Sequence, residues 1–113
     1  MEEQPSIGKV VSGASRNLKV ITQTSDVRIV EYTLSAGDSH PWHHHSEVTD
    51  RIYCLEGLIG VDTRVPPRQF LLRPGESCEV PVGTVHQVNN AGADTGRYLL
   101  IQALGKYDYI RAD

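Results

Sequence analysis

Every run of apolar residues in this chain is cut short by a turn signal before it is long enough to make a helix. Ten Gly and six Pro separate stretches of β-branched, aromatic and aliphatic residues, and nowhere does an apolar period of 3.6 persist for the roughly 11 residues that mark a helix. The turn signals are Ser35-Ala36-Gly37-Asp38, Glu56-Gly57, Val65-Pro66-Pro67-Arg68, Arg73-Pro74-Gly75-Glu76, Pro81-Val82-Gly83-Thr84 and the stretch from Asn89 to Gly96. Each is rich in residues that impose or tolerate turn backbone angles. Between them the sequence predicts strands at Lys9–Ser12, Lys19–Thr24, Val27–Leu34, His43–His45, Arg51–Glu56, Gly60–Thr63, Gln69–Leu72, Ser77–Val80, Val85–Asn89 and Arg97–Leu104. The expected fold class is all-β, with short strands closing a barrel or jelly-roll sandwich around one core. At 113 residues the chain has the size of one domain, so function must sit on that core or at a contact between copies.

Composition narrows the function further. Lys and Arg number 11 against 14 Asp and Glu, for a net charge of −3, and the basic residues are scattered singly. No basic face is offered to a phosphate backbone, so nucleic acid is not an expected partner. The acidic start, Met1-Glu2-Glu3-Gln4-Pro5, and the lack of any apolar run near the roughly 18 residues of a spanning helix lead to the expectation of a cytoplasmic protein with no membrane partner. Cys54 and Cys78 are too few for a disulfide scaffold and too far apart in sequence for a zinc knuckle, and are expected as free buried thiols. The first six residues and Arg111–Asp113 are expected to be loose, and Asn89–Gly96 reads as a surface loop.

The anomaly is histidine: four of the five lie between His40 and His45. In a strand, side chains at i and i+2 share a face with Cα atoms about 6.5 Å apart, so His43 and His45 can converge on one ion. His44 alternates to the other face, and His40 precedes Pro41, which biases it towards extended or turn backbone. After the short polar stretch Ser46–Thr49, Asp50 opens the next strand and is placed to face inward beside the two rings. His86 follows the Pro81-Val82-Gly83-Thr84 turn, which sets the height of the first side chains of the strand after it. Three imidazoles and a carboxylate suit a borderline first-row divalent ion such as Fe, Mn, Ni, Cu or Zn, whereas calcium and magnesium prefer oxygen. Cys54 shares a strand face with Asp50 but lies about 13 Å along it, too far to ligate the same ion.

These residues fall into two motifs that resemble those of the cupin superfamily. The first reads Gly37, five residues, His43-His44-His45, four residues, Asp50, six residues, Gly57; it departs from the family pattern only in the acid, which is usually glutamate. The second reads Gly75, five residues, Pro81-Val82-Gly83, two residues, His86, three residues, Asn90, and matches at each fixed position. The resemblance implies a double-stranded β-helix, or jelly roll, over residues 1–113 with a barrel core of about 7–110, and a metal inside one end of the barrel. It carries His43, His45 and His86 onto the family's histidine ligands and Asp50 onto its acidic ligand. Aspartate is one methylene shorter, so three roles stay open: direct ligation, contact through a water, or orientation of a ring.

The resemblance implies a fold and one divalent transition metal per chain, not a reaction. Expected is an enzyme acting on a small oxygen-rich molecule (keto acid, diketone, sugar acid or polyketide-like) chelated to the metal, by dioxygenation or by isomerase or lyase chemistry. The competing expectation is a non-catalytic small-molecule-binding or structural cupin in which the ion only ties strands together. Asp50 and His40 are the candidate catalytic groups, with Trp42, Tyr53 and Arg51 as further candidates near the mouth. A homodimer is expected because open sheet edges seldom stay unpaired, with Ile7–Ser12 and Tyr107–Ile110 as the segments to cover such an edge.

Overall fold

The computed structural model describes residues 16–113. Among these it has strands and no helix: β1 (Arg16–Gln23), β2 (Val27–Leu34), β3 (His43–His44), β4 (Thr49–Glu56), β5 (Ile59–Arg64), β6 (Pro67–Leu72), β7 (Ser77–Val80), β8 (His86–Asn90), β9 (Gly96–Ala103) and β10 (Ile110–Arg111). They form two five-stranded antiparallel sheets, in the orders β1-β2-β9-β4-β7 and β10-β3-β8-β5-β6. This is the expected all-β jelly roll. Among the described residues no helix is long and apolar enough to cross a membrane.

Strands and turns fall where the punctuation puts them, to within a few residues. Pro67 opens β6 rather than preceding it, which costs nothing because a strand's first residue can lack an N–H in the ladder. The predicted strand Lys9–Ser12 lies outside the described residues. Arg111–Asp113 is not loose as expected: Ile110 pairs with His44 and Arg111 with His43. Ala112 N–H donates to Trp42 O at 3.0 Å and its own carbonyl accepts from Arg64 at 2.7 Å. A two-residue strand is too short to carry a period, so only its tertiary partners reveal it.

Strict alternation builds the core. In β2, Arg28, Val30, Tyr32 and Leu34 are buried; in β9, Gly96, Tyr98, Leu100 and Gln102; in β4, Asp50, Ile52 and Cys54. Register lines these up across the sheet, with Val30 opposite Leu100 and Leu100 opposite Ile52. Ile59, Val61, Leu72 and Val88 close the same cluster from the facing sheet, each such side chain contributing about 1.5–3 kcal/mol by leaving water. One step along the strands the register places Arg28 opposite Gln102 and Gln102 opposite Asp50. The apolar interior therefore ends in a polar rung across three neighbouring strands. Both cysteines are free, Cys54 buried as expected and Cys78 only partly so.

At the other end, Asn90 is buried and ties three segments together. Its amide donates to Leu34 O at 3.0 Å and to Asp94 O at 2.8 Å, and its side-chain oxygen accepts from Gly92 N–H at 2.9 Å. The loop after β8 is a surface connection with a buried anchor. Asn90→Ala leaves those main-chain groups short of partners and is expected to lower the free energy of unfolding by about 2–3 kcal/mol, read from the urea midpoint, with metal stoichiometry unchanged.

Candidate metal centre

The four sequence-predicted metal ligands come together. His43 in β3 lies directly opposite His86, the first residue of β8, as cross-strand neighbours whose side chains share a face. His45 follows β3 on the same side, and Asp50, second residue of β4, reaches in from the other sheet. All four are at most 6% exposed, and one donor atom from each lies within 4.8 Å of the others. His44 is half-buried and takes no part in the group, as alternation requires.

Backbone carbonyls orient all three rings. Nδ1 of His43 lies 2.8 Å from Pro41 O, Nδ1 of His86 2.8 Å from Thr84 O, and Nδ1 of His45 2.5 Å from Asp108 O. A carbonyl only accepts, so each Nδ1 carries the proton and each Nε2 turns inward. The two motifs support one another here. Gly83 holds φ at +79°, a left-handed backbone that glycine adopts without cost, and its N–H donates to His45 O at 2.9 Å. The same turn supplies the Thr84 carbonyl that fixes His86.

Asp50 sits among the inward nitrogens. Its Oδ2 is 3.0 Å from His86 Nε2 and 3.2 Å from His45 Nε2, and its Oδ1 accepts from Gln102 at 3.0 Å. The shorter side chain therefore reaches both rings. Burial pushes the Asp50 carboxyl up, but the hydrogen bonds and charges of His45 and His86 outweigh it and hold the group below the usual carboxylate range. For His45, burial opposes the charged form, yet the Asp50 hydrogen bond and charge, with Asp108 behind them, raise its pKa above 6.5. His43 is held down to about 3, by burial first and then by the neighbouring His86. The site thus favours the charged form of one ring, through Asp50, and the neutral form of another, through burial.

A cavity of about 20 Å³ adjoins this group, the room of one water molecule. His40 lies on its wall, buried, with its ring 4.7 Å from that of Tyr32. The other candidates expected near the mouth are elsewhere. Arg51 is exposed and pairs with Glu79 at 3.4 Å, Tyr53 alternates outward with it, and Trp42 is half-buried under the Arg64 guanidinium at 4.5 Å. The segment Tyr107–Ile110, expected to cover a sheet edge, meets the β3 edge through Ile110, which pairs with His44, and also lies over the histidines: Tyr109 stacks on His43 at 4.5 Å and Tyr107 packs on His45 at 5.5 Å. Asp108 clamps it down through the Ser46 N–H at 2.8 Å and the Ser46 hydroxyl. Ile7–Ser12 lies outside the described residues.

Sequence reasoning missed Arg28 and Gln102. Both are 1% exposed, and Arg28 Nη1 donates to Gln102 Oε1 at 2.6 Å, so the amide links the guanidinium to Asp50. The available signal was phase: both residues alternate in step with apolar core positions of their strands.

Three imidazole Nε2 atoms freed by carbonyl-bound Nδ1 protons, with one carboxylate oxygen, fit a borderline transition ion held inside protein. Residues 30–102 match the family model of the cupin domain. Among solved structures, the polyketide cyclase RemF from Streptomyces resistomycificus is 21% identical, with a TM-score of 0.76 over 100% of this chain and 87% of that one. An uncharacterised protein with a double-stranded β-helix domain from Klebsiella pneumoniae is also 21% identical, with a TM-score of 0.75 over 97% of this chain and 90% of that one. Oxalate oxidase in complex with the substrate analogue glycolate is 16% identical, with a TM-score of 0.74 over 86% of this chain, which spans 55% of that one. These likenesses show the fold. No curated protein matches the chain.

Proposed function

The chain belongs to the cupin domain family, and on that premise we propose that it is an enzyme holding one divalent transition ion on His43, His45, His86 and Asp50 and acting on a small oxygen-rich organic substrate. The observation that carries this reading is the buried donor set, whose atoms lie within 4.8 Å of one another. The ion when bound supplies Lewis acidity, or O₂ activation if it is iron. The protein's own part is to aim three imidazoles from backbone carbonyls, hold Asp50 ionised between two of them, and shield the site with Tyr107 and Tyr109. Asp50 is the candidate acid–base group at the centre, 3.2 Å from His45 Nε2, and His40 is proposed as a further group facing the substrate. The likeness to a polyketide cyclase and to an oxalate oxidase in complex with the substrate analogue glycolate supports an oxygen-rich substrate.

One observation favours a second reading, a binding or structural cupin. The cavity has room for about one water, and Tyr107 and Tyr109 line it. The test is elemental analysis of protein purified without added chelator, followed by O₂ uptake and product analysis with diketones, 2-oxo acids and uronates. The expected outcome is about one transition ion per chain and turnover of one class. A protein that takes up no transition ion on reconstitution overturns the proposal. Stoichiometric metal without turnover supports the second reading. The homodimer remains a proposal, supported by β1, an edge strand among the described residues, where Val20 and Ile21 are exposed.

A further inference from the structure

We infer that Arg28 binds a carboxylate of the substrate, and this inference rests on the enzymatic reading above while adding the charge of its substrate. Arg28 is 1% exposed, and a guanidinium keeps its charge at any working pH. Its Nη1 is used on Gln102 Oε1, at 2.6 Å, and the Tyr107 ring lies 4.5 Å from its Cζ. Nε and Nη2 are buried and reach no hydrogen-bond acceptor in the described chain. These two donors form one edge of the guanidinium, the edge that takes both oxygens of a carboxylate in parallel. A buried arginine with a purely structural role satisfies such an edge with carbonyls or an acid, because buried charges are paired. Here the one acid among the described residues on the cavity wall is Asp50, and Gln102 stands between it and the guanidinium.

Register gives the distance. Arg28 and Asp50 flank Gln102 on one rung, so their backbones are two strand spacings, about 10 Å, apart. A ligand that touches both the free edge of Arg28 and the donor set is therefore short: a carboxylate with a second oxygen one or two carbons away. Charge points the same way. A divalent ion on the donor set, with Arg28 and against Asp50 alone, leaves the buried site with an excess of positive charge that a small anion neutralises. The cavity has room for about one water molecule, so the Tyr107 ring over the guanidinium yields when the carboxylate enters.

The test uses acetate and its neutral analogue acetamide, titrated at constant ionic strength into the full chain, metal-free and zinc-loaded, and followed by NMR. In the metal-free parent, acetate is expected to bind at least tenfold more tightly than acetamide and to shift the Arg28 Nε–H resonance. Arg28→Gln is expected to lose that preference at unchanged zinc stoichiometry, and Arg28→Lys to keep part of it. Equal binding of acetate and acetamide by the parent, or an Arg28 resonance that acetate does not move, overturns the inference even if Arg28→Gln fails to fold. Retained acetate preference in a folded Arg28→Gln overturns it as well. Zinc uptake is read separately: a parent that binds zinc but ignores acetate fails this inference alone, and a parent that binds acetate through Arg28 but no zinc fails the metal reading alone.

Discussion

His86→Ala is expected to abolish stoichiometric binding of a divalent transition ion, while His44→Ala leaves it unchanged. His86 is 1% exposed, its Nδ1 is bound to Thr84 O at 2.8 Å, and its Nε2 stands 3.0 Å from the Asp50 carboxylate. Nothing else among the described residues offers a nitrogen from β8 to the same point, so no neighbour replaces it. Losing a partner that merely supports a ligand costs about 10–100-fold in affinity, and losing the ligand itself costs more. The substitution also empties the volume of a buried ring and removes a hydrogen bond to the main chain, so the variant melts at a lower temperature in the absence of metal. His86→Gln keeps a polar side chain of similar reach and separates the two effects: it recovers part of the melting temperature without recovering parental affinity. Competition with a chromophoric chelator reads the affinity and circular dichroism reads the melt. Parental affinity in His86→Ala would sink the ligand assignment. His44 alternates out of the donor group, which makes it the control for any general effect of changing the histidine run.

Most of this site is legible in the sequence because two short periods carry it. A period of two puts His43 and His45 on one side and Asp50 in phase with Ile52 and Cys54, and the Pro81–Thr84 turn fixes where His86 enters. The same period already sends Arg51 and Tyr53 outward, so their placement near the mouth conflicted with a rule in hand. Arg28 and Gln102 are harder. Alternation says which residues share a face, not which face is inside. In β2, Val27 and Ile29 compete with Val30 and Leu34, and each face carries one charge, Glu31 or Arg28. In β9, Leu99 and Ile101 compete in the same way with Tyr98 and Leu100. Only the register between strands far apart in sequence makes Arg28, Gln102 and Asp50 one rung. The sequence singles out the covering segment Tyr107–Ile110 for a sheet edge, but its place over the histidines is hidden for a related reason. Tyr107 and Tyr109 alternate around Asp108, but three residues do not say which surface they meet, and what fixes them is stacking on His43 and His45 and the Asp108 contacts to His45 and Ser46.

Asp50→Asn is expected to weaken metal binding by at least about tenfold and to change how the metal-free protein responds to acid. The asparagine keeps the shape and one acceptor oxygen but loses the charge that sits 3.0 and 3.2 Å from two imidazoles. In the parent, Asp50 has its pKa held below the ordinary 3.8, so it stabilises the fold above that value and the contribution is lost as pH falls through the folded pKa. His45, raised above 6.5, adds stability that is complete below 6.5 and is lost as pH rises through its folded value. His43, held near 3, works against folding as pH falls from 6.5, because the unfolded chain takes up a proton that the folded ring refuses. Removing the Asp50 charge takes away the main influence that raises His45 and leaves the burial that lowers it. Two of the three histidines then oppose folding in acid, and the contribution that balanced them is gone. The melting temperature of metal-free Asp50→Asn is therefore expected to fall below the parent's by more at pH 5.5 than at pH 8, and its metal affinity to depend less steeply on pH across that range, since His45 no longer has a proton to surrender. The ion it does bind keeps more of its positive charge and polarises a bound oxygen more strongly, so turnover changes even where occupancy is restored with excess metal. A constant gap in melting temperature across pH, with parental affinity, would show that Asp50 is a hydrogen-bonding strand residue and that the ion rests on the three histidines.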